Sequence, residues 1–183
     1  MQKTTGGLIV RPWRAADAES LYRAVDASRS ELTHWLPWCS DGYAPADALA
    51  WVDFSLRSWR ERSQFPFGVF DARSGDVIGG TGINHLDLPN RRGALGYWVS
   101  SAHTGRGVAR RAAAVAAEFG FSELALCRIE IIVLLDNHAS HRVALALGAR
   151  RECDARHRVQ HHGEGVTASV YALLPDELRQ VDR

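Results

Sequence analysis

One short segment combines small residues and arginine at the start of a predicted helix. It reads Thr104-Gly105-Arg106-Gly107-Val108-Ala109 and follows an apolar stretch, Gly96 to Val99, that predicts a strand. A helix N-terminus leaves backbone N–H groups unpaired and carries partial positive charge, so it favours an anion. Small residues let a phosphate approach the backbone, and Arg106 or Arg110 can add guanidinium donors. The segment predicts a phosphate site, with an ordinary tight turn as the alternative.

Two common nucleotide-binding patterns do not match this loop. A P-loop requires Gly-Lys-Ser/Thr, whereas Val108 and Ala109 follow Gly107. A Rossmann fingerprint requires three glycines near the first strand of repeated βαβ units. Here the loop is central and follows segments that predict antiparallel hairpins.

The loop resembles the Gln/Arg-x-x-Gly-x-Gly/Ala motif of the GNAT superfamily of acyl-CoA-dependent N-acyltransferases, with Thr104 at the Gln/Arg position. Within that superfamily the chain resembles the RimJ/RimL branch, the ribosomal-protein N-terminal acetyltransferase type. The resemblance extends from about Leu8 to Leu174. The other motifs that carry it are Leu36-Pro37-Trp38, Ile78-Gly79, Gly96-Tyr97-Trp98-Val99 and Asp136-Asn137-His138-Ala139-Ser140.

The resemblance implies a single GNAT acyltransferase domain over residues 1–183, with its core at about 8–174. It implies an α/β (α+β) fold, with a mixed central sheet of about seven strands flanked by about four helices. The fourth and fifth of these strands would splay apart and leave a slot for acyl-CoA.

The resemblance also implies which residues hold the donor. Val99 and Ser100 would pair their backbone with the pantetheine arm, as an added strand would. The segment Gly105–Ala109, which includes Gly107 and Val108, would hold the pyrophosphate, with Thr104 and Arg110 beside it. Acetyl-CoA is the expected donor.

Three further residues are expected at the reacting thioester. The resemblance puts Asn137 and Ser140 near the thioester and the pantetheine, where Ser140 would protonate or hydrogen-bond the departing thiolate. Tyr97 is a further catalytic candidate that would orient the thioester or thiolate. Simpler interpretations stay open, because Asn is a favoured N-cap and Tyr97 fits a half-buried sheet position.

The attacking amine must lose a proton, because an alkylammonium with a pKa near about 10 is mostly charged at neutral pH. Family members often carry Glu just before the Gly-Tyr-Trp segment, but here that place is Gly93-Ala94-Leu95. His85 is the leading substitute, on the acceptor side of the slot. Glu130, Asp136 and a held water are alternatives, and His85 could instead be structural.

An aromatic segment follows the first predicted helix. His34, Trp35 and Trp38 lie in a predicted loop, Glu31 to Pro45, where the family places part of its acceptor pocket. Bulky rings in a loop often mark a binding surface or a dimer contact. We therefore expect these residues, together with His85, to bind the acceptor. A homodimer that uses this surface is a second hypothesis.

Apolar spacing predicts the elements that position these residues. Helices are predicted at 15–27, 45–62, 108–119 and 143–147. Strands are predicted near 8–13, 65–69, 77–83, 94–100, 127–135, 150–160 and 166–174.

Charge, cysteine content and histidine placement limit the partners, the cellular compartment and the metal sites that we expect. The 22 basic and 21 acidic side chains leave a net charge of +1, which disfavours nucleic acid and anionic membrane as partners. The three cysteines are odd in number, and no apolar signal core is present, so a cytoplasmic protein is expected. His157, His161 and His162 cluster near Glu164, but alternation along strands argues against a metal site.

The expected function is acetyl transfer from acetyl-CoA to a primary amine by direct attack. The acceptor would be a protein N-terminal α-amine or a small or peptide-like amine. The alternative is a non-catalytic acyl-CoA-binding regulatory module. The absence of the family's Glu and the presence of Thr104 at the Gln/Arg position favour this alternative.

Overall fold

The structure, a computed structural model, describes residues 1–179, so the last residues of the expected domain, 180–183, lie outside the described residues. Eight strands form one mixed sheet in the order β1-β2-β3-β4-β5-β6-β8-β7. The strands are β1 (Lys3–Thr5), β2 (Leu8–Pro12), β3 (Phe65–Asp71), β4 (Val77–Asp87), β5 (Arg92–Val99), β6 (Arg128–Leu134), β7 (Arg150–His161) and β8 (Glu164–Leu173).

Five α-helices accompany the sheet within residues 1–179, with short 3-10 turns at Ala15–Asp17 and Ser101–His103. The helices are α1 (Ala18–Asp26), α2 (Arg29–Trp35), α3 (Pro45–Glu61), α4 (Val108–Ser122) and α5 (His138–Leu147). Among them, no helix is long and apolar enough to cross a membrane.

The expected α/β fold is present, with one more strand and one more α-helix among residues 1–179 than the sequence predicted. The extra strand, β1, pairs with β2 through a turn at Gly6-Gly7 and was too short and polar to predict. The extra helix, α2, lies where we expected a loop. Its residues Leu32 and Trp35 fall three apart, but a single apolar turn before Pro37 gives little periodic signal.

Alternation along the strands divides the core between the two faces of the sheet. Leu8 and Val10 belong to one buried cluster, to which α4 and α5 also contribute residues. Ile9 packs against the other cluster, which contains residues of α1, α2 and α3. This alternation follows from the strand period of two. Ala112, Ala113, Ala116 and Ala117 of α4 are buried, and such small side chains allow a helix to pack closely on a sheet.

The predicted splay lies between β5 and β6. These two strands pair in parallel only from Arg92 to Ala94, opposite Arg128 to Glu130. Beyond Ala94 they separate, while β5 stays paired with β4 as far as Val99, and β6 with β8 as far as Leu134. The separation leaves unpaired strand edges that face each other across a cleft, and α4 connects the two strands.

Candidate active site

The glycine-bearing loop precedes α4, as predicted. Gly105 and Gly107 both have φ of 72°, and Gly107 is the N-cap residue of α4. The first bond across the helix start runs from Arg111 N to Gly107 O, at 3.1 Å. The N–H groups of Val108 to Arg110 therefore have no intrahelical acceptor, as helix geometry requires. Thr104 to Gly107 are exposed, so these donors are accessible to an anion.

Arg111 is a part of this loop that sequence reasoning missed. Its Nη2 donates to Arg106 O at 3.0 Å, and its Nη1 lies 3.0 Å from where a Cβ on Gly107 would be. The buried Nε atoms of Arg110 and Arg111 have no hydrogen-bond partner among residues 1–179. Because buried guanidinium donors normally find acceptors, these orphaned atoms fit a phosphate-bearing ligand.

The free edge of β5 presents Val99 to the cleft. Ser100 N donates to Ile78 O of β4 at 2.9 Å, so Ser100 faces β4. Successive residues of a strand point their backbone groups to opposite edges, which directs those of Tyr97 and Val99 toward the opening. Ser100 also accepts from His103 N at 2.9 Å, and its Oγ lies 2.9 Å from His103 Nδ1. Val99 can therefore pair with an added strand, whereas both backbone groups of Ser100 are already bonded.

Ser140 and Tyr97 meet at the cleft between the splayed strands. Tyr97 Oη lies 2.9 Å from Ser140 Oγ and donates to Ser140 O at 3.2 Å. Burial raises the pKa of Tyr97 to about 12, which the bond to Ser140 opposes. The phenol therefore stays protonated near neutral pH. The single phenol proton bonds either Ser140 O or Ser140 Oγ, and in the second arrangement the hydroxyl proton of Ser140 is free for a ligand.

The helix that carries Ser140 is fixed at its first turn. Asn137 Oδ1 accepts from Ser140 N at 3.0 Å, so Asn137 is the N-cap of α5 and also lines the cleft. His141 Nε2 lies 3.2 Å from Leu135 O, and its Nδ1 lies 2.7 Å from Tyr171 Oη. The carbonyl can only accept, so Nε2 carries a proton, and in the neutral ring Nδ1 accepts from Tyr171. Tyr171 thus holds α5 and does not line the cleft.

The cleft has a volume of about 670 Å³ and extends from the splayed strands toward α3. Trp35 and Trp38, which we proposed from the sequence for acceptor binding, line it. Trp35 lies on α2 rather than in a loop. The aromatic residues that line the cleft are Trp13, Trp35, Trp38, Tyr43, Trp51, Phe54, Phe67, Tyr97 and Trp98.

Two histidines proposed for this site do not line the cleft. His85 is exposed at a bulge of β4, with φ of 47°, where the register to β5 shifts between Asn84 and Asp87. His34 is exposed on α2, with its ring centroid 4.3 Å from that of Trp35. An irregular strand end redirects a side chain in a way that spacing cannot predict.

The alternative bases also lie outside the cleft lining. Glu130 lies 3.1 Å from Arg128 Nη2 and 3.5 Å from Arg158 Nη2, so it is ion-paired, and Asp136 is exposed. Residues 1–179 contain no group of three His, Cys, Asp or Glu side chains arranged to hold a metal ion.

An open strand edge next to a helix start rich in unpaired N–H donors suits an extended, phosphate-bearing ligand that lies along β5. A family model for the acetyltransferase (GNAT) domain matches residues 7–150. The chain belongs to this family, and it is an N-acetyltransferase with acetyl-CoA as its donor. These findings confirm the predicted family, fold class, enzyme class and donor.

Known proteins similar to this chain cover nearly its whole length. The N-acetyltransferase YoaA of Bacillus subtilis is 26% identical over 170 residues, which span 93% of this chain and 94% of that protein. Mycobacterium smegmatis RimJ in complex with CoA-disulfide has a TM-score of 0.82 at 26% identity, covering 94% of this chain and 84% of that one. Ribosomal-protein-S5-alanine acetyltransferase from Vibrio fischeri shares the fold, with a TM-score of 0.87 at 22% identity, covering 98% of this chain and 100% of that one.

Proposed function

We propose that the cleft transfers the acetyl group of acetyl-CoA directly to a primary amine, with Ser140 beside the departing sulfur. The amine nitrogen forms a bond to the thioester carbon, the C–S bond breaks, and the amine loses one proton. Ser140 Oγ–H donates a hydrogen bond to the departing thiolate, which takes its proton from solvent, while Tyr97 orients Ser140. The observation that carries this proposal is the 2.9 Å pair of Tyr97 Oη and Ser140 Oγ in the lining of the cleft.

The donor would lie along the free edge of β5. Val99 would pair with the pantetheine arm, because its backbone groups face the opening. The loop from Thr104 to Arg110, with Arg111, would hold the pyrophosphate through its unpaired N–H groups and the orphaned guanidinium donors. Ser100 would contribute by fixing the strand end rather than by pairing with the donor.

The amine would lose its proton to water rather than to a histidine. No His, Glu, Lys or Arg of the described chain lines the cleft, and Asp47 is the single carboxylate there. Asp47 Oδ2 accepts from Ala44 N at 2.8 Å, as a cap of α3. Since His85 lies outside the cleft, a water that reaches the open cleft is the acceptor that the geometry favours.

A protein N-terminal α-amine or a small peptide-like amine would be the acceptor. Support comes from the similarity to Mycobacterium smegmatis RimJ and to the Vibrio fischeri ribosomal-protein-S5-alanine acetyltransferase. We further infer that the protein is cytoplasmic and consists of one domain. The free thiols of Cys39, Cys127 and Cys153 support the cytoplasmic location. The homodimer stays a prediction, for light scattering to test.

Two measurements on the purified protein test the proposal. Calorimetric titration with acetyl-CoA should give micromolar binding, and a thiol-release assay over a panel of primary amines should give turnover. Absence of binding would contradict the donor site. Binding without turnover on any amine would instead favour the non-catalytic acyl-CoA-binding module.

A further inference from the structure

The acceptor side of the cleft has an unusual density of exposed aromatic surface. Trp38 and Trp51 expose 48% and 41% of their surface, although both line the cleft. Trp98 and Phe54 line it beside them. Contiguous exposed apolar surface of this kind commonly marks a binding site.

The rings are arranged in two groups that can face one ligand. Trp38 lies with its ring centroid 6.0 Å from that of Trp98 and 6.1 Å from that of Tyr43. Trp51 lies 5.4 Å from Phe54 on α3. Because these rings come from three separate parts of the chain, the packing of a single helix does not explain their convergence. A planar apolar group could bury itself between them.

The charges that line the cleft determine which charged groups a bound ligand can have. Asp47 is the one charged side chain in the lining formed by residues 1–179, and its Oδ1 has no hydrogen-bond partner there. Asn84 and Gln64 are neutral and also line the cleft. A cationic amine would meet a carboxylate and aromatic faces, both of which attract it. A carboxylate on the ligand would meet no cation and would lose its hydration without compensation.

We propose that the acceptor is a primary amine that bears a bulky aromatic group and lacks a free carboxylate. An arylalkylamine and the N-terminal aromatic residue of a peptide share this chemistry. Free aromatic amino acids do not, because their carboxylate adjoins the amine. This inference rests on the proposed function, because it names the substrate class for the same reaction.

Matched amines test the two parts of the inference separately. Tryptophan amide against alanine amide tests the aromatic group, and tryptophan amide against free tryptophan tests the carboxylate. Tryptamine and a tryptophanyl-glycine amide distinguish the two sources of the acceptor. In a thiol-release assay we expect kcat/KM for tryptophan amide to exceed that for each matched partner by at least about tenfold.

Variants of the cleft connect this preference to the named residues. Trp38→Ala and Trp51→Ala should each reduce the preference for tryptophan amide over alanine amide by at least about threefold, with the KM for acetyl-CoA unchanged. Trp38→Phe should restore much of the preference. Leu49→Ala is the matched control, because Leu49 is 50% exposed on the same helix as Trp51 and does not line the cleft.

The outcomes separate this inference from the function on which it rests. Equal use of alanine amide and tryptophan amide, or of tryptophan and its amide, would overturn the inference while leaving the acetyltransferase intact. An unchanged preference in both tryptophan variants would also overturn it. If acetyl-CoA binds but no amine in the panel is acetylated, the proposed function fails and the inference fails with it.

Discussion

At the scale of single residues, the proposed chemistry depends on the Ser140 hydroxyl lying where the thiolate would leave. Ser140 is held on both sides, because its amide donates to Asn137 and its Oγ lies 2.9 Å from Tyr97 Oη. A donor that is fixed before the reaction needs little reorganisation when charge develops on the sulfur. Asn137 is thus both the helix cap and a support of the site.

Ser140→Ala should lower kcat by about 100-fold, because one preorganised donor to the developing charge is lost. The affinity for acetyl-CoA should change little, since the variant keeps the loop and the free edge of β5. Steady-state kinetics and calorimetric titration check the two halves of this prediction. Tyr97→Phe should give a smaller loss, about tenfold, because Ser140 keeps its own proton. Unchanged kcat in Ser140→Ala would contradict the assigned role.

Without a histidine base in the cleft, the pH dependence should follow the acceptor. We expect kcat/KM to rise with pH until the pKa of the amine substrate, because only the neutral amine attacks. An acceptor amine of lower pKa should reach its plateau at lower pH. His85→Ala should leave the profile and the rate unchanged, since His85 is exposed outside the cleft. A pH profile that changes in His85→Ala would instead identify His85 as the base.

At the scale of elements, the loop before α4 depends on backbone conformation as well as on donors. Gly107 has φ of 72°, and the guanidinium of Arg111 packs against it. Only glycine adopts this conformation without strain, and a larger residue would also displace Arg111. The loop and the arginine therefore form one unit.

Gly107→Val should weaken acetyl-CoA binding by at least about tenfold, because a β-branched residue is strained at positive φ and its Cβ would lie 3.0 Å from Arg111 Nη1. Gly75→Val is the matched control, since Gly75 has φ of 77° in the turn between β3 and β4, with nothing within 4 Å of its added Cβ. Both variants should lose some stability, but only Gly107→Val should lose affinity. Equal affinities in calorimetry would refute the loop assignment.

At the scale of the whole molecule, the cleft exists because the sheet opens in its middle. Pairing of β5 with β6 stops at Ala94, while the flanking strands keep their own partners. Each of the two strands keeps its other neighbour, so only the facing edges of β5 and β6 lose backbone hydrogen bonds. The aromatic end of the cleft also contacts the second buried cluster, to which Tyr43 belongs.

Alkaline pH should reveal how tightly this region is packed. Burial raises the pKa of Tyr43 to about 12, above the value of about 10 expected in the unfolded chain. Between these values the unfolded chain binds fewer protons, so the free energy of unfolding falls as pH rises. Between pH 8 and pH 11 Tyr43 should contribute roughly 1 kcal/mol to this fall.

Urea unfolding at pH 8 and pH 11 measures this contribution. Tyr43→Phe removes the ionisable group and keeps the ring, so its free energy of unfolding should fall less than that of the wild type over the same interval. An equal fall in both proteins would show that Tyr43 does not ionise differently on unfolding.

The sequence by itself determined the family, the order of most elements and the loop at α4, because these depend on local signals. Glycine spacing, strand alternation and helical stripes are properties of neighbouring residues, and the motifs from Leu36 to Ser140 kept their order. Ser140 lines the cleft, and Gly107 is the N-cap of α4, while the roles that the motifs implied for them stay predictions.

Only the tertiary structure decided which side chains meet. Trp38 reaches Trp98 across 60 positions of the chain. His85 leaves the cleft because of a bulge, and Ser100 is occupied because of the register of β5 with β4. Register, bulges and contacts between distant segments arise from packing the whole sheet, so no local pattern encodes them.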